Sequence, residues 1–277
     1  MLLMLTLFVG CTEKARTDAL RTLSKQATAQ FKVNRGFHVI DGQPVYLDSN
    51  ASEGKITRQL PNVDAPSFRA LPTPPEVRVF YAVDGKHAYI AMHYNVTELP
   101  HADGASFELF LDSYAFARDK EHVFYLGVAI DGADPSTFTP LTTCFAKDAT
   151  QAYIGTIPIA VTDIASWRPL GEGSAEDPWY RSAKDTHARP HSELNAFGWS
   201  QDDSSVYWGS DLVGTADTLS FVRLGKFYGK DAKNVYYAGK PIAGTDPASF
   251  ELVDPPPIGL MPDATDKNRS YKYGEPQ

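Results

Sequence analysis

The chain has 277 residues, 43% hydrophobic and 12% aromatic, which excludes a disordered or collagen-like polymer and allows a sizeable core in one or two domains. Fourteen Tyr and 15 Phe, punctuated by 20 Gly and 20 Pro, favour short strands and turns over long helices. A net charge of −8, with no basic stripe of interleaved aromatics, argues against a nucleic-acid partner.

Met1 to Val9 is almost wholly apolar and meets Gly10-Cys11, after which Thr12-Glu13-Lys14 is abruptly polar. The run is too short to cross a bilayer, which takes about 20 residues, and has the length of a signal-peptide apolar core. Phe8-Val9-Gly10-Cys11 resembles the bacterial lipobox, with Phe8 where Leu is usual. The resemblance implies that residues 1–10 are a signal peptide and that Cys11 is acylated, making its lipid the membrane anchor. A single acyl chain binds only marginally, and the lipoprotein route supplies two or three. Thr12, rather than Asp, follows the cysteine, which favours the outer membrane in a host that has one.

Residues 12–36 carry Lys14, Arg16, Arg21, Lys25, Lys32 and Arg35 against Glu13 and Asp18, a local charge of +4 that leaves −12 for residues 37–277. Such a segment suits anionic headgroups, at about 1 kcal/mol per basic side chain near the surface, and equally suits a solvated tether. Thr17-Asp18 can cap a helix whose Leu20, Leu23, Ala27 and Phe31 fall at helical spacing, so one helix is expected over 17–32 within a lipidated tether at 11–36.

From residue 37 the chain is periodic. Asp119-Lys-Glu-His-Val-Phe-Tyr-Leu-Gly127 and Asp231-Ala-Lys-Asn-Val-Tyr-Tyr-Ala-Gly239 are each followed by Ile, then by Ala-Asp-Pro-Ser-Thr-Phe138 or Thr-Asp-Pro-Ala-Ser-Phe250. The second element, Asp-x-x-Ser/Thr-aromatic, recurs at Asp64, Asp103, Asp134, Asp163, Asp217 and Asp246. In four units the opening Asp leads this second Asp by fifteen residues, as from 119 to 134 and from 231 to 246. The wide gap between Asp163 and Asp217 leaves room for a degenerate copy near 171–198, and Asp266 to Gly274 looks like the opening of a further unit.

Physically, the opening Asp is expected to make a polar turn, the Val-Tyr-Tyr run a strand, and the Gly a reversal into a returning strand. Asp-Pro-x-Ser describes an N-cap before a single helical turn, with its Asp as a structural cap; the closing aromatic then points inward. The second Tyr of each pair, on the other strand face, is the candidate for recognition.

Asp231-Ala-Lys-Asn-Val-Tyr-Tyr and Gly-Thr-Asp-Pro-Ala-Ser-Phe250 are similar to the DKNYY family of bacterial repeats. The match is close over 119–138 and 227–253, recognisable over 145–170 and 199–224, and faint over 37–110. It implies an exported, often lipidated bacterial protein with no assigned catalytic activity.

Other constellations carry less. The turns offer one or two acids each, too few for the six to eight oxygens of Ca²⁺, so no metal or other cofactor is expected. His187, His191 and Glu193 have ligand-like spacing, but Pro190 breaks the turn that would align them. His87 and His93 would share a face of a strand over 86–94, with no third ligand. Cys144 reads as a small apolar core residue. No Gly-x-Ser-x-Gly, phosphate loop or His-Glu-x-x-His occurs, so no catalytic residue is assigned.

The expected fold is mainly β: an antiparallel repeat domain of short hairpins or three-stranded units over 37–277, with single helical turns, solenoid-like or propeller-like, plus the N-terminal helix. The expected function is an envelope-anchored binding or scaffolding module, partnered by a protein or glycan. The alternatives are an immunity-type lipoprotein neutralising a secreted toxin, or an envelope hydrolase built on His187, His191, Asp202 and Asp203.

Overall fold

In the computed structural model, residues 35–50, 54–74, 77–110, 113–175, 195–254 and 261–277 are described. Cys11, the helix expected over 17–32, and His187, His191 and Glu193 lie outside the described residues. The regular structure of the described residues is almost entirely antiparallel β, in seven consecutive small sheets and one two-stranded hairpin. The sole helical element among these residues is a 3₁₀ turn, Ala65–Ser67. None of their helices is long and apolar enough to cross a membrane.

Sheets two to seven share one plan of four strands, here called a to d. The fourth sheet shows it: a is Thr139–Pro140, b is Phe145–Lys147, c is Ala152–Ile154 and d is Ile157–Ile159, hydrogen-bonded in that order. The first sheet has three strands, Gly36–Ile40, Gln43–Asn50 and Gly54–Gln59. Strands of two or three residues have too little surface to stand alone, so each sheet relies on its neighbours.

Aromatic rings supply that support. At four of the six Asp-x-x-Ser/Thr turns, those closed by Phe107, Phe138, Phe221 and Phe250, the closing aromatic packs between strand b of the sheet behind it and strand c of the sheet ahead. Phe138 lies 5.5 Å from Phe116 and 5.7 Å from Tyr153 between ring centroids; Phe221 lies 5.0 Å from Trp199 and 6.0 Å from Tyr236; Phe250 lies 5.6 Å from Tyr228 and 5.3 Å from Tyr271. Burying such a ring contributes about 1.5–3 kcal/mol, and the periodic aromatics lie in a succession of hydrophobic clusters along the chain.

The second aromatic of each pair also goes into packing between sheets, against the expectation that it is free for recognition. Tyr125 is buried. A Cβ on Gly239, at φ +78°, would stand 2.8 Å from the Trp208 side chain of the preceding sheet; one on Gly274, at φ +79°, would stand 2.6 Å from that of Tyr237. Glycine is therefore required both for the left-handed turn and for close approach.

Three further expectations change. The stretch 170–198, expected to hold a degenerate copy, interrupts the fifth sheet between strand a, Arg168–Pro169, and strand b, Trp199–Gln201; its described ends pair as Ser174–Ala175 with Ala196–Phe197, and 176–194 lie outside the described residues. Asp266 to Gly274 does not open an unfinished unit but supplies the b–c turn and strand c of the seventh sheet. Only the Asp64 turn is 3₁₀-helical; elsewhere the turn closes without a helical turn, as by the main-chain bond from Ser220 N–H to Asp217 C=O at 3.3 Å together with the Ser220 hydroxyl on the Asp217 carboxylate.

Candidate functional site

The two ends of the sheets are built differently. At one end lie the b–c turns, each four residues long (84–87, 119–122, 148–151, 202–205, 231–234 and 266–269), beside the Asp-x-x-Ser/Thr turns. Six carboxylates are buried here: Asp84, Asp119, Asp148, Asp202, Asp231 and Asp266. Each accepts on Oδ1 from the second and third N–H groups after it, as Asp231 does from Lys233 and Asn234 at 2.7 Å. Each accepts on Oδ2 from the main-chain N–H of the preceding cap Asp: Asp64 to Asp84, Asp103 to Asp119, Asp134 to Asp148, Asp163 to Asp202, Asp217 to Asp231 and Asp246 to Asp266, all at 2.9–3.1 Å. In five of the six a tyrosine five residues on adds its hydroxyl, at 2.7–2.9 Å from Tyr89, Tyr153, Tyr207, Tyr236 and Tyr271. Phe124 takes that place beside Asp119.

The return bond runs through the cap. Its carboxylate accepts from the Ser or Thr three residues on, at 2.6 Å for both Asp163–Ser166 and Asp217–Ser220. That hydroxyl then accepts from the N–H following the buried Asp, as Ser220 does from Ala232 and Ser249 from Lys267 at 3.1 Å. Consecutive sheets are thus clasped in both directions, which explains why the sequence needs two Asp, a Ser/Thr and a Tyr per unit. At Asp103 and Asp246 the Lys after the next buried Asp also pairs with the cap, at 3.0 and 3.2 Å, though such exposed pairs add little.

Burial alone would raise the buried carboxyls. The converging N–H and hydroxyl donors outweigh it, lowering Asp84, Asp148, Asp202 and Asp231 and holding Asp266 at about 2. Burial and the facing carboxylate push Tyr271 up to about 12.

The clasps account for residues singled out from sequence. The six cap positions, Asp64, Asp103, Asp134, Asp163, Asp217 and Asp246, sit in equivalent turns, and their carboxylates face hydroxyl and main-chain donors. Among the described residues no group of three His, Cys, Asp or Glu could hold a metal ion. Asp202, one of the four residues considered for hydrolysis, has its carboxylate filled by Thr162, Asp163, Ser204, Ser205 and Tyr207; Asp203 is exposed. His87 and His93 do not share a strand face. The strand spans Ala88–Met92 only; His87 sits in its b–c turn, 3.1 Å from Asp84, and His93 in the tight turn at the other end. Cys144 is a free, buried thiol pushed up to about 11 by burial.

At the opposite end lie the two-residue c–d turns and the a–b loops, and here length varies. The a–b loops run 71–79, 110–115, 141–144, 170–198, 224–227 and 253–263. Two concavities border them, and a third, of about 490 Å³, lies at the clasp end beside Ser106, Lys120 and Asp134. A groove of about 880 Å³ runs along strands a of the second and third sheets, past Leu71, Pro72, Phe110 and Tyr114. A cleft of about 330 Å³, sharing Tyr114 as a wall, is lined by Asp48, Arg78, Met92, His93, Tyr94 and Tyr125 among others.

This cleft coincides with the repeat's largest local departures. Where other c–d turns place glycine at a left-handed position, the second sheet has His93-Tyr94, at φ 48° and 68°. In the first sheet the buried Asp48 belongs to no clasp: it accepts from Tyr46 Oη and Ser49 N–H, both at 2.7 Å, and from Arg35 Nε at 2.8 Å. Asp48, Arg78, Tyr94 and Tyr114 were not singled out from sequence. The missing glycine after Met92 was the available signal.

A family model described as the DKNYY family matches residues 15–128 and again 126–275. No curated protein and no solved structure matches the chain.

Proposed function

The chain belongs to the DKNYY family, and we propose that it is an envelope-anchored binding or scaffolding module, without catalysis, that presents its a–b loop end to a protein or glycan. Cys11, following an apolar run of signal-peptide length, is the residue that would carry the lipid. The exported chain would sit on the outer membrane in a host that has one. Sheets clasped only to their neighbours would progress as an open, solenoid-like row, exposing a long edge.

The observation that carries this reading is the asymmetry between the ends. One end has turns of fixed length whose buried and capping Asp residues are consumed by the fold. The other has loops of 4 to 29 residues bordering the 880 Å³ groove and the 330 Å³ cleft, whereas the hollow at the clasp end is lined by the fixed turns themselves. Recognition residues concentrate on variable loops held by a rigid scaffold.

Two measurements test it. Cys11→Ser should abolish fatty-acid labelling and membrane retention while leaving the repeats folded; an unlabelled wild-type protein would refute the anchor. A photo-crosslinker at Tyr114, on the loop end, should capture a discrete envelope component in living cells, and one at Lys233, on the clasp end, should not. Equal capture from both positions would refute the asymmetry.

A further inference from the structure

Taking the loop end as the recognition end, we infer that the cleft between the first four sheets binds a ring-sized anion: one carboxylate or phosphate on a six-membered ring. The lining sets the charge. Arg78 is exposed and makes no hydrogen bond or ion pair among the described residues, and the half-buried Tyr94 and Tyr114 make no hydrogen bond there either. By contrast, the one carboxylate in the wall, Asp48, is committed to Arg35, Tyr46 and Ser49. The cleft therefore offers a guanidinium and two hydroxyls with no uncompensated acid, a donor set that asks for an acceptor-rich anion.

Shape sets the body. A volume of about 330 Å³ stands at the small end of ligand pockets. Val79, Met92, Ala115, Leu126 and the buried ring of Tyr125 give the cleft its floor, and the half-buried phenol rings of Tyr94 and Tyr114 offer faces for a ring to lie on. Tyr94 is held at a backbone angle that bulky residues rarely adopt, in a turn where the other sheets use glycine. Such strain persists where the side chain is needed in place.

The anion can be borne on a sugar or on an aromatic ring, and the test separates the two. Saturation-transfer NMR and calorimetry on the full chain would use glucuronate, glucose 6-phosphate, 4-hydroxybenzoate and neutral glucose. At least one anionic probe should bind with a Kd of about 1 mM or tighter and glucose should not; the sugar acids or the aromatic acid responding alone identifies the bearer. Arg78→Ala and Tyr94→Gly should each weaken binding about tenfold or more. Tyr94→Gly restores the glycine used in the other turns, so its melting temperature should hold or rise, which separates lost binding from lost fold. Three silent anions, equal binding of glucose, or indifference to both substitutions would overturn the inference. Silent anions with Tyr114 crosslinks intact would sink this ligand alone and leave the loop-end reading standing.

Discussion

Asp163 donates its main-chain N–H to the Asp202 carboxylate at 3.0 Å across 39 positions of sequence, the same bond that Asp217 makes to Asp231 across 14. The insertion at 170–198 has lengthened the loop without disturbing the clasp. The bond is therefore a property of the sheet-to-sheet junction, independent of the chain between its partners.

Removing a clasp carboxylate strands its donors. Asp148 accepts from Thr150, Gln151, Asp134 and Tyr153, so Asp148→Ala should cost about 3–5 kcal/mol, since each buried unmet donor costs roughly 1–3. Tyr153→Phe removes one donor and should cost about 1.5–3 kcal/mol, the arrangement the chain already tolerates at Phe124. Urea unfolding measures both, and equal effects would contradict the clasp.

Acid should unfold the protein by protonating clasps. The folded carboxyls of Asp84, Asp148, Asp202, Asp231 and Asp266 lie below their unfolded value. Their contribution is complete above about pH 4 and is lost as pH falls toward the value of about 2 at which Asp266 protonates. The raised tyrosines give the mirror result: stability present below about pH 10 and lost as pH rises through about 12 at Tyr271. Denaturant midpoints across pH should show a plateau between these limbs.

The close approach at the c–d turns makes Gly239→Ala destabilising. An L-residue in the left-handed region costs about 1–2 kcal/mol, and the new Cβ meets the Trp208 Cβ at 2.8 Å. A loss of about 2 kcal/mol or more is expected by thermal or urea unfolding. Gly132, at φ +76° with nothing within 4 Å of a new Cβ, should lose only the backbone part.

Cys144 should resist modification. Its thiol is buried and pushed up to about 11, so in a Cys11→Ser background reaction with a thiol reagent at pH 8 should follow global unfolding. A fast reaction in native buffer would contradict its place in the core.

Much of the fold was legible because the periodic residues are those the junctions consume. Both Asp positions, the Ser/Thr, the Tyr and the closing aromatic all recur, and the turn and strand assignments follow from them. Their bonding partners did not follow. The fixed fifteen-residue spacing, as from Asp119 to Asp134, lies within the unit, whereas the clasp joins Asp134 forward to Asp148 through an a–b loop of variable length. A repeat defined by constant spacing therefore straddled the sheet boundary, left the end of the chain looking incomplete, and passed over Asp84, whose strands c and d are longer. The cleft was illegible for the opposite reason. Asp48, Arg78, Tyr94 and Tyr114 break the period and come together only through stacking of the first four sheets.

Native-state hydrogen exchange at the cap amides tests the clasp most directly. The amides of Asp217 and Asp246 should exchange only through global unfolding, and Asp231→Ala should release Asp217 while sparing Asp246. Exchange at Asp217 as fast as in the exposed loops, or unchanged by loss of the Asp231 carboxylate, would contradict the account.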